Sequence, residues 1–485
     1  MDARGQAPLT GRSRETAQLG GCLTRLEAGR GTLLLVAADP GTGRSRLALE
    51  ATVMAAARGV ASGWGRSRID GATATLVPWA QALGDAGVGD LYALTDHEVG
   101  EGAREGDDAD RRRLFDEVVE RLRLAAPVVV VLDDLDEADD ASLALLGHVA
   151  GRLGDLPLLV VATFRPASAT RRVALGRLLR AVGDEPGCDV LELDTLAVDD
   201  AIECAQALAG RRLDPERLLA VVARSGGNPF LIDELLRATT EGVETSLPRT
   251  AGELLAVRIA ALGPAARRAV EALAVLGGEA DLGTLRRVAG GPAGAPGPDL
   301  GPDLAADLGA DLGPAVANGL VERSGGAALR LAHPLVWDAV IGGLAEEAAC
   351  DLHARALEAV AAATGVDPGT RAEALAHHAL AAGFDRDGLA LVLDAAGWCR
   401  RRGGPDNAAA LLARALATRT DPSERAELSV AQGEALLALG EVREAREAFE
   451  AALRSAPGHP GLGTRARTGI LACVAVGRPP GWAGR

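Results

Sequence analysis

The sequence predicts a multidomain protein in which an α/β domain with a parallel sheet is followed by all-α modules. A short apolar run at residues 31–37 leads into a glycine-rich turn and then into a helical segment, as expected for a buried parallel strand at the start of such a domain. Further apolar runs alternate with helical segments up to residue 196, which is typical of a parallel sheet covered on both faces. Residues 197–240, and most of the chain after them, have helical patterns.

Length and composition limit the fold and the partners. The chain has 485 residues, which predicts roughly two to four domains. Its hydrophobic fraction of 48% comes mostly from Ala, Leu and Val, and aromatic residues make up only 2%, so we expect helix packing and parallel strands. The formal net charge of -16 argues against nucleic-acid binding by bulk electrostatics. Every cationic side chain except histidine is arginine, because the sequence contains no lysine.

Cysteine usage and hydropathy predict a cytoplasmic protein. The six cysteines form no Cys-x-x-Cys pair, so we expect reduced thiols and no cysteine-based metal site. The first ten residues lack the apolar segment of a signal peptide. No uninterrupted apolar stretch approaches the ~18 residues of a membrane span.

The turn after the first strand is similar to a phosphate-binding P-loop, G-x-x-x-x-G-K-[ST]. In that motif, backbone N–H groups and a helix N-terminus surround phosphate oxygens. Ala38 replaces the first glycine and Arg44 replaces the lysine, and the planar guanidinium of arginine differs from a compact ammonium. Taken alone, the segment fits a damaged motif as well as a working one. The residues expected around the phosphates are Pro40, Gly41, Thr42, Gly43, Arg44, Ser45 and Arg46, with Ser45 on Mg²⁺.

A second acidic motif supports the P-loop interpretation. The apolar run Val128–Leu132 ends in Asp133 and Asp134, which is the arrangement of a Walker B strand. Asp133 is expected to hold Mg²⁺ through water, and Asp134 to orient or deprotonate the attacking water. The alternative is a strand that ends in a solvated turn.

Two later segments extend the candidate site. The next apolar run ends in Thr163-Phe164-Arg165, where Arg165 is predicted to sense the terminal phosphate; the alternative is an ordinary surface arginine. Gly227-Asn228-Pro229-Phe230 lies in the helical stretch 197–240, which is expected to form a lid.

In this order, the motifs resemble the STAND class of AAA-related ATPases, and within it the large ATP-binding LuxR-type (MalT-like) regulators. The similarity covers nearly the whole chain. The matching pieces are LTGR at the start, the altered P-loop, LDDLDEADDAS, LPLLVVATFRP, GGNPFLIDELL, LPRTAGELLAVRIAALGPAARRAVEALAVLG, AHPLVWDAV and EALAHHALAAG.

The resemblance implies further ligand contacts. By it, Gly11 and Arg12 lie near the adenine, Pro229 packs against the base, and His333 reaches a phosphate of the bound nucleotide. The alternative for His333 is a partly buried polar residue at a domain boundary. The family usually has His at position 136 and Trp at position 137, where this chain has two acids; the sequence alone attaches no consequence to this change.

We expect four domains, with another strand between the P-loop strand and the Walker B strand of the first. Residues 1–168 are predicted to form a P-loop AAA-type ATPase core, 169–245 a helical lid, 246–342 a winged-helix-like domain, and 343–485 tetratricopeptide-like repeats. In the third domain, residues 319–333 predict a β-hairpin. A Pro-, Gly- and Asp-rich insertion at about residues 289–313 predicts a surface loop.

The C-terminal part predicts stacked helical repeats. Residues 433–457 fit one tetratricopeptide-like helical pair and residues 403–417 partly repeat it. The matching positions of the pair are Gly440, Ala445, Phe449, Ala452 and Pro457. Such repeats bind peptides, proteins or small effectors. Relatives of this kind continue with more repeats and a DNA-reading helix-turn-helix, which this sequence lacks at its end, so a naturally short form and a truncated form both remain open.

The predicted function is a signal-transduction switch that binds ATP or ADP with Mg²⁺ and opens in response to nucleotide and effector. We expect it to control transcription or assembly, to self-assemble when open, and to bind an effector or protein partner through its repeats. Slow or absent hydrolysis is expected, with no direct DNA binding and no membrane association. Two alternatives remain: a pseudo-ATPase scaffold, and a helical-repeat adaptor with a vestigial N-terminal domain.

Overall fold

The first part of the molecule is a parallel sheet covered by helices. The computed structural model describes residues 9–67, 74–96, 108–183, 185–210, 212–240, 251–290, 312–324, 328–383 and 386–476. The strands of the sheet are β1 (Thr32–Ala37), β2 (Ala61–Arg66), β3 (Val128–Asp133), β4 (Leu158–Phe164) and β5 (Cys188–Glu192). All pairings are parallel and the order is β2-β3-β4-β1-β5. β4 therefore separates the P-loop strand from the Walker B strand, and this prediction is confirmed.

Apolar residues on both faces explain the central strands. Every residue of β1, β3 and β4 is buried, as expected for a sheet with helices on both sides. β2 differs because two glycines allow a helix to approach its backbone. A Cβ at Gly63 would lie 1.8 Å from the carbonyl oxygen of Ala82, and one at Gly65 would lie 1.7 Å from that of Pro78.

Eight helices accompany the sheet in the described ranges up to residue 183, and they pack in two apolar cores on its opposite faces. They include the helices predicted near residues 45–58, 111–125 and 141–153. Their bounds are α1 (Ser13–Glu27), α2 (Arg44–Ala56), α3 (Val77–Asp85), α4 (Tyr92–Asp96), α5 (Asp108–Ala125), α6 (Asp140–Ala150), α7 (Pro166–Arg171) and α8 (Val173–Val182).

Part of the predicted lid at 169–245 is a three-helix unit with its own core; we call this unit the lid, and its role stays a prediction. It consists of α9 (Val198–Ala209), α10 (Pro215–Ser225) and α11 (Pro229–Thr240). Ala201, Val222 and Ile232, one from each helix, belong to this core. The predicted helical stretch at 197–240 is therefore confirmed.

The next unit, which we call the antiparallel module, spans residues 251–343. Its three strands pair antiparallel in the order β6-β8-β7, and the β7–β8 pairing confirms the predicted hairpin. The designation as a winged helix and the domain boundaries stay predictions, and most of the insertion at 289–313 lies outside the described residues. The elements are α12 (Ala251–Ala260), α13 (Pro264–Val275), β6 (Glu279–Asp281), α14 (Leu282–Ala289), α15 (312–317), β7 (Val321–Arg323), β8 (Ala328–Leu331) and α16 (Pro334–Gly343).

Seven consecutive helices follow, each packed on the next. Phe449 of α22 lies between α21 and α23, because both neighbours present a glycine: a Cβ at Gly433 or Gly469 would come within 2.7 Å or 2.3 Å of its ring. None of the helices in the described ranges combines the length and apolar character needed to cross a membrane. The helices are α17 (Glu346–Ala362), α18 (Pro368–Ala381), α19 (Arg386–Arg401), α20 (Pro405–Thr418), α21 (Pro422–Ala438), α22 (Val442–Ser455) and α23 (Pro460–Val476).

The helical repeats dock on the P-loop domain through buried polar contacts. The backbone N and Oγ1 of Thr75 donate to Oε2 of Glu373 at 2.9 and 3.1 Å. Asn407 donates to Thr75 Oγ1 at 3.1 Å, and the Tyr92 hydroxyl donates to the Thr75 carbonyl at 3.1 Å. The guanidinium carbon of Arg402 lies 3.8 Å from the centre of the Tyr92 ring. These contacts join the helical repeats to the P-loop domain.

Candidate nucleotide site

The P-loop lies between β1 and α2 and has the features of an anion cradle. Gly43 is the N-cap of α2 with φ of 103°, and Gly41 has φ of 82°, a region of backbone space that favours glycine. Among the described residues, no side chain caps the first turn of α2, and that turn contains no acidic residue. Helix N-terminal N–H groups without a cap attract anions. The loop therefore fits phosphate groups.

The Mg²⁺ ligands predicted from sequence lie together. Ser45 Oγ donates to Asp133 Oδ1 at 3.0 Å, and Thr163 Oγ1 donates to the same oxygen at 2.7 Å. Arg66, at the end of β2, donates to Asp133 Oδ2 at 2.8 Å. Burial opposes ionisation of Asp133, but the charge of Arg66 and the hydroxyl hydrogen bonds outweigh it, so the pKa of Asp133 lies below its usual value. A serine hydroxyl beside an ionised carboxylate fits a Mg²⁺ ion, which takes oxygen ligands directly or through its bound waters.

Arg44 is engaged by the second Walker B acid. Its Nη2 donates to Asp134 Oδ1 at 3.2 Å, and its Nη1 lies 4.0 Å from Asp136 Oδ1. Burial and the neighbouring charge of Asp133 raise the pKa of Asp134 to about 7, although Arg44 lowers it. Asp134 also has a left-handed backbone, with φ of 59°. In this structure the positive charge that replaces the P-loop lysine pairs with the candidate catalytic acid.

Arg165 is held by the two acids that distinguish this chain from the family it resembles. Its Nε donates to Asp136 and its Nη2 donates to Glu137. Burial raises the pKa of Glu137 to about 7 against the lowering effect of Arg165. Asp136 links Arg165 to the P-loop, because it also lies near Arg44. Its phosphate-sensing role stays a prediction, and the acids at 136 and 137 have a structural consequence that the sequence did not reveal.

The lid contacts the P-loop directly. Asn228 Nδ2 donates to the Pro40 carbonyl at 3.0 Å, and the Phe230 backbone N donates to the Gly41 carbonyl at 3.2 Å. A Cβ at Gly41 would lie 2.7 Å from Asn228 Oδ1, so this contact also requires glycine. Pro229 is the first residue of α11. The individual role of Asn228 was not predicted, although its motif was.

The residues predicted near the base lie where the loop, β5 and the lid meet. Arg12 is buried, and its Nη2 donates to the carbonyls of Thr42 at 3.1 Å and Asp194 at 2.6 Å. Gly11 has φ of 69°, and a Cβ there would lie 2.5 Å from Asp200 Cβ in α9. Gly11 and Arg12 therefore fasten the chain before α1 to the P-loop and the lid, and their contact with adenine stays a prediction.

Two other predicted phosphate-binding residues use their side chains locally. Thr42 Oγ1 donates to the Asp39 carbonyl at 2.7 Å within the loop. Arg46 pairs with Glu50 one turn along α2, at 2.9 Å. Their roles at the phosphates stay predictions and rest on the backbone.

His333 connects the antiparallel module to the same loop. Its ring stacks on Phe230 with centroids 4.2 Å apart, and its Nδ1 accepts the Leu335 N–H at 3.1 Å as the N-cap of α16. Burial lowers the pKa of His333 to about 3, and the nearby charges of Arg44 and Arg66 act in the same direction. A neutral ring whose Nδ1 accepts carries its proton on Nε2, which can donate. The P-loop, lid and module thus meet around Phe230.

Comparisons with known proteins agree with this geometry. Residues 8–161 match the AAA ATPase domain family, which implies nucleotide binding. The crystal structure of a signal transduction ATPase with numerous domains (STAND) with a tetratricopeptide repeat sensor, from Pyrococcus horikoshii, is similar over 98% of this chain and 69% of that chain, with a TM-score of 0.53 and 13% identity. At this identity the likeness concerns the fold. The chain therefore contains an AAA ATPase domain, and its fold is similar to that of the STAND protein with a tetratricopeptide repeat sensor; its LuxR-type character stays a prediction.

Other similarities are weaker. A Walker-type ATPase of Pyrococcus abyssi aligns over 69% of this chain and 96% of its own, with 15% identity and a TM-score of 0.30. The Drosophila origin recognition complex bound to DNA aligns over 69% of this chain and 87% of its own, with 16% identity and a TM-score of 0.31. These partial likenesses carry no conclusion. No curated protein matches the sequence.

Proposed function

We propose that the protein is a cytoplasmic signal-transduction switch of the STAND type, in which a bound nucleotide holds the lid and the antiparallel module against the P-loop. The main support is that the lid and the antiparallel module both meet the P-loop. Asn228 and Phe230 donate hydrogen bonds to P-loop carbonyls, and His333 stacks on Phe230. A ligand at this loop contacts three parts of the chain at once. The ligand therefore favours the closed arrangement, because it binds the closed state more tightly than the open state.

ATP or ADP with Mg²⁺ is the proposed ligand. The uncapped N-terminus of α2 receives the phosphates, and Ser45 with Asp133 holds the ion. When bound, Mg²⁺ supplies positive charge to the phosphate oxygens. The base is assigned to the region of Arg12 and Pro229 by resemblance. His333 donates from Nε2 to a phosphate oxygen, which couples the module to nucleotide state.

Hydrolysis is proposed to be slow or absent, because Arg44 and Asp134 are paired with each other. Catalysis of phosphoryl transfer needs positive charge placed on the phosphate oxygens and an acid free to orient water. The same contact favours the second candidate, a pseudo-ATPase scaffold that binds nucleotide without turning it over.

The output is proposed to be control of transcription or of assembly, as in the LuxR-type regulators that the sequence resembles. An effector or protein partner on the helical repeats would compete with the docking contacts of Thr75 and Glu373. Opening then exposes surfaces for self-assembly. We propose no direct DNA contact by this chain, since its net charge is -16.

Isothermal calorimetry with ADP and ATP, with and without Mg²⁺, tests the proposal. Wild type should bind both, and Ser45→Ala should lose the Mg²⁺-dependent part of the affinity, whereas Ser423→Ala, an exposed serine on α21, should not. Hydrogen exchange at residues 228–235 and 333–343 should slow on ADP binding. If the wild type binds no nucleotide, the proposed nucleotide switch is wrong and the helical-repeat adaptor becomes the favoured interpretation.

A further inference from the structure

Three histidines converge between the first two helices that follow the antiparallel module. His353 belongs to α17, and His377 and His378 belong to α18. Each offers a ring nitrogen, and the three nitrogens all lie within 4.8 Å of one another. His353 Nδ1 and His378 Nδ1 are 3.0 Å apart. His377 and His378 are buried, and His353 is half-buried.

The convergence is unusual for two adjacent residues of one helix. Consecutive helical side chains point about 100° apart, so neighbouring histidines seldom face a common centre. Here His353 enters from the other helix and meets both. Its ring centroid lies 5.5 Å from that of His377 and 5.3 Å from that of His378, which are themselves 5.2 Å apart.

The arrangement has the ligand type and the spacing that a metal ion requires. Neutral imidazole nitrogens are preferred ligands of transition metals, and here three of them lie within 4.8 Å of one another. Zinc–nitrogen distances of about 2.0–2.1 Å in a tetrahedron place the ligand nitrogens about 3.3 Å apart. The His353–His378 separation of 3.0 Å is within a few tenths of that value.

We propose that His353, His377 and His378 form a binding site for a divalent transition-metal ion, with Zn²⁺ as the expected occupant. Three imidazoles leave the fourth position of a tetrahedron to water. The site belongs to a different part of the chain from the P-loop, so it does not depend on the proposed nucleotide function.

The place of the site in the fold suggests a structural consequence of occupancy. On α17, Leu352 and Ala356 belong to the apolar core of the antiparallel module. On α18, Glu373 lies one turn before His377 and accepts the hydrogen bonds of Thr75 in the P-loop domain. An ion bound to both helices would fasten the joint between the module and the docked repeats.

Calorimetry with Zn²⁺ tests the site on the full chain, stripped with a chelator, kept reduced, and free of any polyhistidine tag. We expect about one ion per chain. His353→Gln, His377→Gln and His378→Gln should each weaken binding by at least about tenfold, a loss that even outer-shell partners can cause. His459→Gln, a histidine on the later repeats that caps α23, is the matched control and should bind as wild type. Equal affinity in all variants, or no Zn²⁺ binding by wild type, overturns the proposal.

X-ray absorption on the Zn²⁺-loaded wild type gives a test that does not depend on how the variants fold. Imidazole ligation gives a nitrogen shell at about 2.0–2.1 Å, whereas a sulfur shell at about 2.3 Å would place the ion on the cysteines and overturn the proposal. Zn²⁺ should also raise the thermal midpoint of the wild type and not that of His378→Gln. A midpoint that rises equally in both chains also contradicts the site.

Discussion

Two buried arginines, one in the P-loop and one where the repeats dock on the P-loop domain, are held in very different ways. Arg44, in the P-loop, makes one hydrogen bond of 3.2 Å to Asp134 and lies 4.0 Å from Asp136. Its Nη1, like the Nε of Arg402, is buried and makes no hydrogen bond among the described residues. Arg402, where the repeats dock, is completely buried and has contacts on several sides.

The contacts of Arg402 combine charge and stacking. Its Nη2 donates to Asp367, and its Nη1 donates to Thr370 Oγ1 at 3.3 Å and lies 3.8 Å from Glu373. Its guanidinium covers the Tyr92 ring at 3.8 Å. Planar arginine suits such combined pairing and stacking.

These contacts indicate which buried charge can change partners. A guanidinium held by one long hydrogen bond can be released to a phosphate at little cost, whereas one held by several partners and a ring fixes two domains together. We therefore interpret Arg44 as the exchangeable charge of the site and Arg402 as a structural link between the repeats and the P-loop domain.

The largest expected effect comes from Arg402→Met. Removing one member of a buried ionic group leaves the other charge without a partner, which costs about 3–5 kcal/mol. Urea unfolding of the nucleotide-free chain measures this loss. Arg44→Met, the matched change, should cost clearly less, because it removes a single hydrogen bond of 3.2 Å, whereas Arg402→Met removes an ion pair with Asp367 and the stacking on Tyr92. Arg443→Met, on an exposed arginine, should leave the unfolding midpoint unchanged. Equal losses for Arg44→Met and Arg402→Met would remove the distinction.

The same two sites show what the sequence could and could not predict. The Ser45–Asp133 contact follows from local motifs, because the carboxyl ends of parallel strands lie along one edge of a sheet. Arg66 has no such signal, since an arginine at the end of a glycine-containing strand is ordinary.

Contacts between segments that are far apart in the sequence could not be predicted from local motifs. Thr75 and Glu373 are 298 positions apart in the sequence, and docking of the repeats brings them together. The pair His377-His378 was visible within a family motif, but its partner His353 lies on another helix and is recognised only in three dimensions.

The next largest effect is expected in the rate at which the nucleotide site releases ADP. In His333→Ala the proposed hydrogen bond to a phosphate is lost, worth roughly 1.5–3 kcal/mol for a charged partner, so ADP release should accelerate by about tenfold or more. Stopped-flow release of a fluorescent ADP analogue measures the rate, and light scattering should show more self-association.

A matched substitution separates this effect from the loss of a helix cap. His459 also caps a helix through Nδ1, accepting the Leu462 N–H at 3.3 Å, but lies in the repeats. His459→Ala should release ADP at the wild-type rate. Unchanged release from His333→Ala would remove His333 from the site.

Glu373, where the repeats dock, is expected to make the free energy of unfolding depend on pH. Burial raises the pKa of Glu373 to about 7, so between its ordinary value and 7 the folded chain binds more protons than the unfolded chain. Stability then falls as pH rises through this window, by about 1–3 kcal/mol from this group. Urea midpoints at several pH values should show a shallower decline in Glu373→Gln than in wild type. Glu444→Gln, on an exposed face of α22, should show the same decline of stability with pH as wild type. The same decline in Glu373→Gln would show that Glu373 is not the group responsible.

The smallest expected effect comes from Arg44→Lys, and it tests whether the exchangeable charge limits catalysis. The compact ammonium is the group that the P-loop pattern places on the outer phosphates, and it should compete less for Asp134 than a guanidinium at 3.2 Å does. Turnover should rise by about threefold to tenfold, roughly 1 kcal/mol in barrier, with nucleotide affinity similar or tighter.

Phosphate release under single-turnover conditions measures the chemical step, and Arg46→Lys, on the neighbouring arginine that pairs with Glu50, controls for introducing a lysine nearby. If wild type already hydrolyses ATP rapidly and Arg44→Lys changes nothing, the Arg44–Asp134 pair is not what slows the reaction. If Arg44→Lys binds nucleotide but still does not turn over, Arg165, held by Asp136 and Glu137, becomes the next position to release.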